Sequence, residues 1–413
     1  MMKAEIINIG DEILIGQIVN SNASWMAQQL YNNGITLCRQ VVVSDEEGAI
    51  MRALNDAQLQ ADLILITGGL GPTNDDITKK VMLRYFNDTL KMDEDALNHI
   101  RKFFERRNLP LTEVNRQQAM LPSRCKKLHN TLGTAPGMWV EHEAKVFVFM
   151  PGVPFEMKAL MTDYVIPEVV RHFPIETNLI HKTILTTGLG ESLLAEKISD
   201  WERDLPQNMK LAYLPQPGIV RLRLSVISNE KSKAKLQLDL QFELLQEIIP
   251  DLIFGVDDQT LEGIIGEKLT LCNGTIATAE SCTGGYISHL ITSIPGSSNY
   301  FKGSVVAYSN DIKENVLKVS NDDLVKYGAV SEQVVKQMAV GVMDLFQTDF
   351  AIATSGIAGP DGGTEDKPVG TVWIAIASKN KVFAEKYNFG THRDRNVKRS
   401  SIAALNALRL FCL

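Results

Sequence analysis

The chain has 413 residues, 45% hydrophobic and 22% charged, a globular mixture that excludes a largely disordered chain and is too long for one ordinary core, so two or three domains are expected. Its 42 Lys and Arg stand against 49 Asp and Glu, and a dedicated nucleic-acid binder would carry the opposite excess, so no nucleic-acid partner is expected. No uncharged apolar stretch approaches the ~20 residues of a membrane span, and MMKAEIINIGDEIL lacks an apolar leader, which predicts a cytoplasmic protein with no membrane partner. The five cysteines, Cys38, Cys125, Cys272, Cys282 and Cys412, form no CxxC and read as reduced thiols.

In chain order, Ala4–Ile9 is a short apolar strand ending in Gly10. A helix over Ala23–Leu30 follows Asn20, Ser21 and Asn22 and stops at Asn32-Asn33-Gly34. Leu37–Val43 reads as a strand, Glu47–Leu59 as a helix, Asp62–Thr67 as a buried strand and Lys145–Met150 as another. Short apolar runs between helical patterns predict parallel βαβ units, with ligands in the loops after the strand C-termini. The pattern changes near Phe173-Pro174. Strand Thr183–Thr187, helix Glu191–Trp201, strands around Lys210–Tyr213 and Val220–Ser228, and helix Lys231–Ile249 make a small α+β unit. Beyond helix Leu261–Leu271 the alternation returns, with strands Thr275–Ala279, Lys302–Tyr308, Phe350–Thr354, Gly370–Ala377 and Val382–Tyr387. Helices are expected over Gly284–Thr292, Ser331–Phe346 and Asn396–Phe411. The fold class is therefore α/β, with domains expected at residues 1–172, 173–255 and 256–413.

Four segments of the third domain sit at strand ends. TIATAESCTGGYISHLI puts Ser281 where a strand gives way to a helix, whose free N–H groups would suit a developing oxyanion, and Gly284 and Gly285 let a substrate approach the backbone. KGSVVAYSNDIKENVL ends a strand at Tyr308 and places Lys313 in the first turn of a helix. The positive end of the helix dipole would lower a lysine pKa there, and a neutral Lys can act as base for a serine hydroxyl. There is no GxSxG, and the seven histidines fall outside these loops except His392, so a Ser/Lys pair explains more than a Ser-His-Asp triad. The loop TSGIAGPDGGTEDKPVG, with Gly356 and Gly359, can wrap a phosphate, and Arg393 lies at the N-terminal edge of the last helix, where it could pair with a phosphate. Singly, each residue has a plain reading: Ser281 an N-cap, Lys313 a solvated lysine, Tyr308 a core-edge aromatic. Cys282 is a rival nucleophile, but no histidine stands by to ionise it.

The first domain carries two acidic loops. NIGDEILIGQIVNSN puts Asp11 and Glu12 after the first strand, and LITGGLGPTNDDIT puts Gly68, Gly69, Gly71, Asp75 and Asp76 after a later one. Glycines allow a diphosphate close to the backbone, and clustered carboxylates suit a divalent metal. MPGVPFEM adds Glu156. The plain reading is solvated turns and first-turn acids.

AESCTGG, the Tyr-Ser-Asn…Lys stretch, SGIAGPDGG…KPVGTVW and FG…R together resemble the C-terminal domain of the CinA family, from about Leu261 onward. The resemblance implies nicotinamide mononucleotide deamidation, with Ser281 as nucleophile and Lys313 as base, needing no cofactor. It also implies Tyr308, Ser355 and Arg393 as supporting polar residues, and Gly284, Gly285, Gly356 and Gly359 beside the substrate. Many relatives have Thr where Ser355 stands, and the second basic residue of the last helix is shifted to Lys398 or Arg399. GGLGPTNDDIT resembles the GGTGxxxRDxT signature of molybdopterin-binding domains, with Asp76 on its Asp. Leu70 and Asn74 depart from that signature, which weakens a molybdenum-cofactor role. With GDEIL-G, N-N and PGVP-EM, Met2 to about Pro174 is closer to the CinA N-terminal domain. That implies a metal-dependent ADP-ribose pyrophosphatase. Its expected nucleotide-binding residues are Gly68, Gly69, Gly71, Asn20 and Asn22, and its expected metal ligands Asp11, Glu12, Asp75, Asp76 and Glu156.

The family's middle segment is KH-like, yet Gly188-Leu189-Gly190 forms no GxxG loop, so RNA binding is not expected. The resemblance also implies a homodimer. Two other readings stand beside these two enzymatic heads. One is an amidase whose N-terminal domain only binds a nucleotide or pterin or dimerises; the other is a non-enzymatic partner in DNA uptake or repair.

Overall fold

The structure, a computed structural model, describes residues 2–71, 73, 76–173 and 178–412. The chain forms two compact units, residues 1–180 with 227–234, and residues 181–226 with 235–413. No helix among the described residues is long and apolar enough to cross a membrane.

The first unit is built on a six-stranded sheet with β1 (Lys3–Ile9), β2 (Thr36–Val43) and β3 (Leu63–Thr67). A separate short pair, β4 (Leu90–Met92) and β5 (Met120–Pro122), precedes β6 (Lys126–Leu128), β7 (Gly137–His142) and β8 (Lys145–Met150). The large sheet runs β2-β1-β3-β8-β7-β6, with β1, β2, β3 and β8 parallel and β7 and β6 antiparallel at one edge. Alternate residues of its central strands feed two cores. Ile7, Ile9, Ile64, Ile66, Phe147 and Phe149 point to one, while Ile6, Leu63, Leu65, Val146 and Val148 point to the other. Helix Glu47–Gln60 covers the first with Ile50, Leu54 and Ala57, and helix Ser21–Asn32 the second with Met26 and Leu30. Both faces being covered is why these strands read as unbroken apolar runs. The antiparallel edge was not expected from sequence. Its hairpin turns at Glu143 and Ala144, both at positive φ and without the Asn-Gly or Asp-Gly that marks such turns.

The second unit holds two sheets. β9 (Asn178–Thr187), β10 (Met209–Gln216), β11 (Ile219–Ser228) and β12 (Ile253–Val256) form one, in the order β10-β11-β9-β12. The other comprises β13 (Ile276–Glu280), β14 (Phe301–Val306), β15 (Phe350–Gly356), β16 (Thr371–Ser378) and β17 (Lys381–Asn388), in the order β14-β13-β15-β16-β17. Its first three strands are parallel and its last two antiparallel. β12 and helix Asn321–Tyr327 went unread in the sequence, and the expected helix Glu191–Trp201 is two short ones, Glu191–Lys197 and Ser199–Arg203. The two sheets share apolar packing: Leu185, Phe254 and Ile219 join a cluster with Ile402, Leu405 and Leu408 of helix Arg393–Cys412. Arg409 of that helix donates to the carbonyls of Asp251 and Ile253.

Candidate active sites

The C-terminal site is made where parallel strands end side by side. Register pairs Glu280 of β13 with Val306 of β14 and with Thr354 of β15, so Ser281 emerges between Ala307 and Ser355. Ser281 N–H donates to the Thr354 carbonyl, and Ser281 is half-buried. The short helix Asn310–Asn315, capped by the Ser309 hydroxyl, then carries Lys313 back beneath the strand ends. Lys313 is only 1% exposed, against the ordinary fate of a lone lysine on the surface. Its Nζ lies 2.7 Å from the Ala307 carbonyl and 3.2 Å from Ser281 Oγ.

Burial pulls the Lys313 ammonium below the ordinary lysine value. The depression therefore has a different cause from the one expected. Lys313 is the fourth residue of a one-and-a-half-turn helix, and loss of solvent rather than the helix dipole leads. Cys282 is buried, and burial pushes its thiol up to about 12. A thiol held protonated at neutral pH makes a poor nucleophile.

The expected free helix N-terminus is corrected. The helix begins at Tyr286, because Gly284 and Gly285 are both left-handed, at φ 61° and 95°. Its first-turn N–H groups are not free: the Glu280 carboxylate, fully buried, accepts from the N–H of Gly285, Ile287 and Ser288. It also accepts from the hydroxyls of Thr283 and Ser288. In the turn itself, the N–H groups of Cys282 and Thr283, both buried residues, make no hydrogen bond to another backbone group among the described residues. The sequence reading missed Glu280; its signal was an acid ending an apolar strand just before a helix. Glu280→Ala would leave several buried donors unpaired and is expected to cost about 3 kcal/mol or more of stability. A urea melt checks this, and a loss below ~1 kcal/mol would mean that water replaces the carboxylate.

Of the supporting residues, Tyr308 is exposed and its hydroxyl accepts from Arg393 Nη2 at 3.1 Å. Arg393 Nη1 donates to the Gly359 carbonyl at 2.8 Å, joining the glycine loop to this pair. Asn396, also missed, is buried and ties the Ala358 and Gly390 carbonyls together through Nδ2. Ser355 is buried and donates to the Ala329 carbonyl, 2.7 Å away, with no hydrogen bond to Ser281 or Lys313 among the described residues. Gly356 lets β15 and β16 approach, since a Cβ there would meet the Thr371 carbonyl at 2.7 Å. Lys398 pairs with Asp394 and Arg399 with the Phe389 carbonyl, which leaves Arg393 as the basic residue joined to both the tyrosine and the glycine loop.

The first unit has a cleft of about 430 Å³ at the C-terminal ends of β1 and β3. All five expected nucleotide-binding residues, Gly68, Gly69, Gly71, Asn20 and Asn22, line it. Gly68 sits at φ 107°, where a Cβ would fall 2.2 Å from the Ile9 carbonyl, so only glycine fits. Asn20 caps helix Ser21–Asn32 and donates to Asn8, and Asn22 donates to the Gly152 carbonyl. Gln118 and Asp45 also line the cleft and were not foreseen.

The expected metal ligands are less united. Glu12, Asp76 and Glu156 line the cleft; Asp11 does not, and Asp75 lies outside the described residues. Asp76 accepts from Gly71 N–H, Thr73 N–H and the Thr73 hydroxyl, so it braces its own loop. Glu156 accepts from Asn130, and burial raises its pKa. Among the described residues no three His, Cys, Asp or Glu side chains converge as a metal cage. The residues fit the looser arrangement of one or two carboxylates beside a phosphate-bearing ligand.

Against known proteins, residues 258–412 match the family model for the CinA C-terminal domain. Residues 5–171 match the probable molybdopterin binding domain, and residues 181–255 the damage-inducible protein CinA KH domain. A CinA-like protein of Flavobacterium psychrophilum is 48% identical over 412 residues, covering 98% of each chain. A CinA-like protein of Cytophaga hutchinsonii is 45% identical over 406 residues, covering 98% of this chain and 97% of that one. The crystal structure of a competence/damage inducible protein, CihA, from Agrobacterium tumefaciens is 38% identical, covers 36% of this chain and 92% of that chain, and has a TM-score of 0.36.

Proposed function

The chain belongs to the CinA family, and from that premise we propose that its C-terminal site hydrolyses nicotinamide mononucleotide to nicotinate mononucleotide and ammonia. The observation that carries the reading is the buried Lys313 Nζ, 3.2 Å from Ser281 Oγ. In its neutral form Lys313 takes the hydroxyl proton as Oγ bonds to the carboxamide carbon. The turn N–H groups of Cys282 and Thr283 stabilise the oxyanion. As the C–N bond breaks, the Lys313 ammonium gives that proton to the leaving nitrogen, and ammonia departs from an ester on Ser281. Lys313 next takes a proton from a water as that water attacks the ester carbon, and gives the same proton to Oγ as the ester C–O bond breaks, which frees the acid and restores the serine hydroxyl. The substrate's pyridinium charge draws electrons from the carboxamide and eases the first attack. Arg393, already oriented by Gly359 and Tyr308, suits the phosphate.

For the N-terminal cleft we propose hydrolysis of ADP-ribose at its diphosphate, supported by the glycine loop and the cleft that it lines. A divalent cation held by Glu12, Asp45 or Asp76 would neutralise the diphosphate. One substrate panel on the whole chain tests both heads. Ammonia release from nicotinamide mononucleotide should survive a chelator, whereas nucleotide monophosphate release from ADP-ribose should stop and return with added metal. No ammonia from nicotinamide mononucleotide at any pH would sink the first reading. Binding of ADP-ribose without metal-dependent turnover would leave the N-terminal domain a binding module.

A further inference from the structure

Two buried side-chain oxygens line the N-terminal cleft without a hydrogen-bond partner among the described residues, Asn22 Oδ1 and Gln118 Oε1. Asn22 is 7% exposed and Gln118 3%. Buried polar atoms are nearly always paired, and an acceptor that lacks a donor burdens the fold until a ligand supplies one.

Both residues are held in place. Asn22 Nδ2 donates to the Gly152 carbonyl at 2.7 Å, which fixes that amide and leaves its oxygen over. The Gln118 main chain is held by Lys79, whose Nζ donates to the carbonyls of Gln118 and Met120 at 2.8 and 3.2 Å. Lys79 belongs to helix Thr78–Tyr85, and the Thr78 hydroxyl donates to the Gly68 carbonyl. Gln118 is thereby tied to the glycine loop.

The two acceptors enter from opposite faces of the sheet. Helix Ser21–Asn32 packs Ala23, Met26 and Leu30 into one core, and helix Thr78–Tyr85 packs Val81 and Met82 into the other. Apolar surface falls on the Asn22 side. Ile18 and Val19 lie just before Asn22 in the chain, Val153 follows its partner Gly152, and all three line the cleft with exposed side chains. A purine ring would lie there. With a diphosphate on the glycine loop, the Gln118 side faces whatever is joined to the far phosphate.

We infer that Gln118 is a specificity-determining residue of this cleft: its Oε1 accepts a hydroxyl of a sugar on the far side of the diphosphate. The ligands selected are then nucleoside diphosphate sugars rather than nucleoside diphosphates. The inference rests on the reading of the cleft as a diphosphate site and adds which end of the ligand is read. A sugar hydroxyl can give its proton to a carbonyl oxygen, whereas an ionised phosphate offers only acceptors and would leave Gln118 Oε1 unpaired.

Calorimetry on the whole chain in a chelator, which stops turnover, tests this with ADP-ribose and the β-methyl ester of ADP. The ester has the same charge and no terminal sugar. The wild type should bind ADP-ribose about 10-fold more tightly or better. Gln118→Met keeps the side-chain length and removes the amide. It should raise the dissociation constant of ADP-ribose about 10-fold and move that of the ester by less than ~2-fold. The melting temperature of the free variant should hold or rise, because apolar atoms replace an unpaired acceptor. A wild type that binds the two ligands equally overturns the inference. So does a Gln118→Met variant that leaves ADP-ribose unmoved, or one that weakens both ligands alike, as a residue that only supports the fold would. A wild type that binds neither ligand removes the diphosphate reading of the cleft, and the inference with it.

Discussion

Ser281→Ala is expected to lower kcat for ammonia release from nicotinamide mononucleotide by about 10⁴-fold or more, with the melting temperature nearly unchanged. The size follows from covalent catalysis: without the hydroxyl no ester forms, and what remains is binding plus whatever the turn N–H groups add. Stability should hold because Ser281 is half-buried and its hydroxyl's recorded contact is with Lys313, while its N–H bond to Thr354 is kept by alanine. Cys282→Ala is the paired control and should retain most activity, its thiol being held protonated by burial. If the cysteine variant is dead and the serine variant active, the nucleophile has been misassigned. Trapping of a substrate-derived ester on Ser281 by rapid quench and mass spectrometry would distinguish a nucleophile from a residue that only binds.

Lys313 should be nearly as costly to replace, and the choice of replacement is informative. Lys313→Arg keeps a positive charge but cannot release it below ~pH 12, so a general base is lost while charge is preserved. Both Lys313→Arg and Lys313→Met are expected to lower kcat about 10³-fold or more. A charge-only role would instead leave the arginine variant well above the methionine one. The pH profile gives a second readout. Below the lowered pKa the amine is an ammonium and no base; activity should rise with pH and level off once it is neutral, earlier than an ordinary lysine at 10.5 would allow. Stability runs the same way. Between the lowered folded value and the unfolded one, the unfolded chain holds more protons, so raising the pH through that window removes the penalty of burying the charge. Below the window the penalty is fully present. Unfolding free energies measured across it should climb with pH in the wild type and flatten in Lys313→Met.

The long strands of the first unit were legible because a sheet covered on both faces demands unbroken apolar runs, and Leu63–Thr67 and Lys145–Met150 are such runs. The short edge strands and the hairpin through Glu143 and Ala144 were not, since a turn at positive φ without glycine carries no composition signal. Cleft residues on the glycine loop were readable from their sequence neighbours. Asp45 follows the end of strand Thr36–Val43 and falls under the same strand-end rule, whereas Gln118 reaches the cleft from a distant segment that no local pattern marks.

By itself, the sequence determined the α/β character, the family and the residue types at each strand end. Glycines, carboxylates and a Ser-then-Lys order are local features, fixed by side-chain chemistry and by turn geometry over a few residues. Only the tertiary structure decided which of them meet. Ser281 and Lys313 are 32 positions apart, and they come together because parallel pairing aligns Glu280 with Val306 and a one-and-a-half-turn helix folds the lysine under the strand end. Burial, which lowers its pKa, is a property of that packing and not of the lysine's neighbours in sequence. The same holds for Glu280, whose carboxylate takes up the helix N–H groups that the sequence alone would have offered to the substrate.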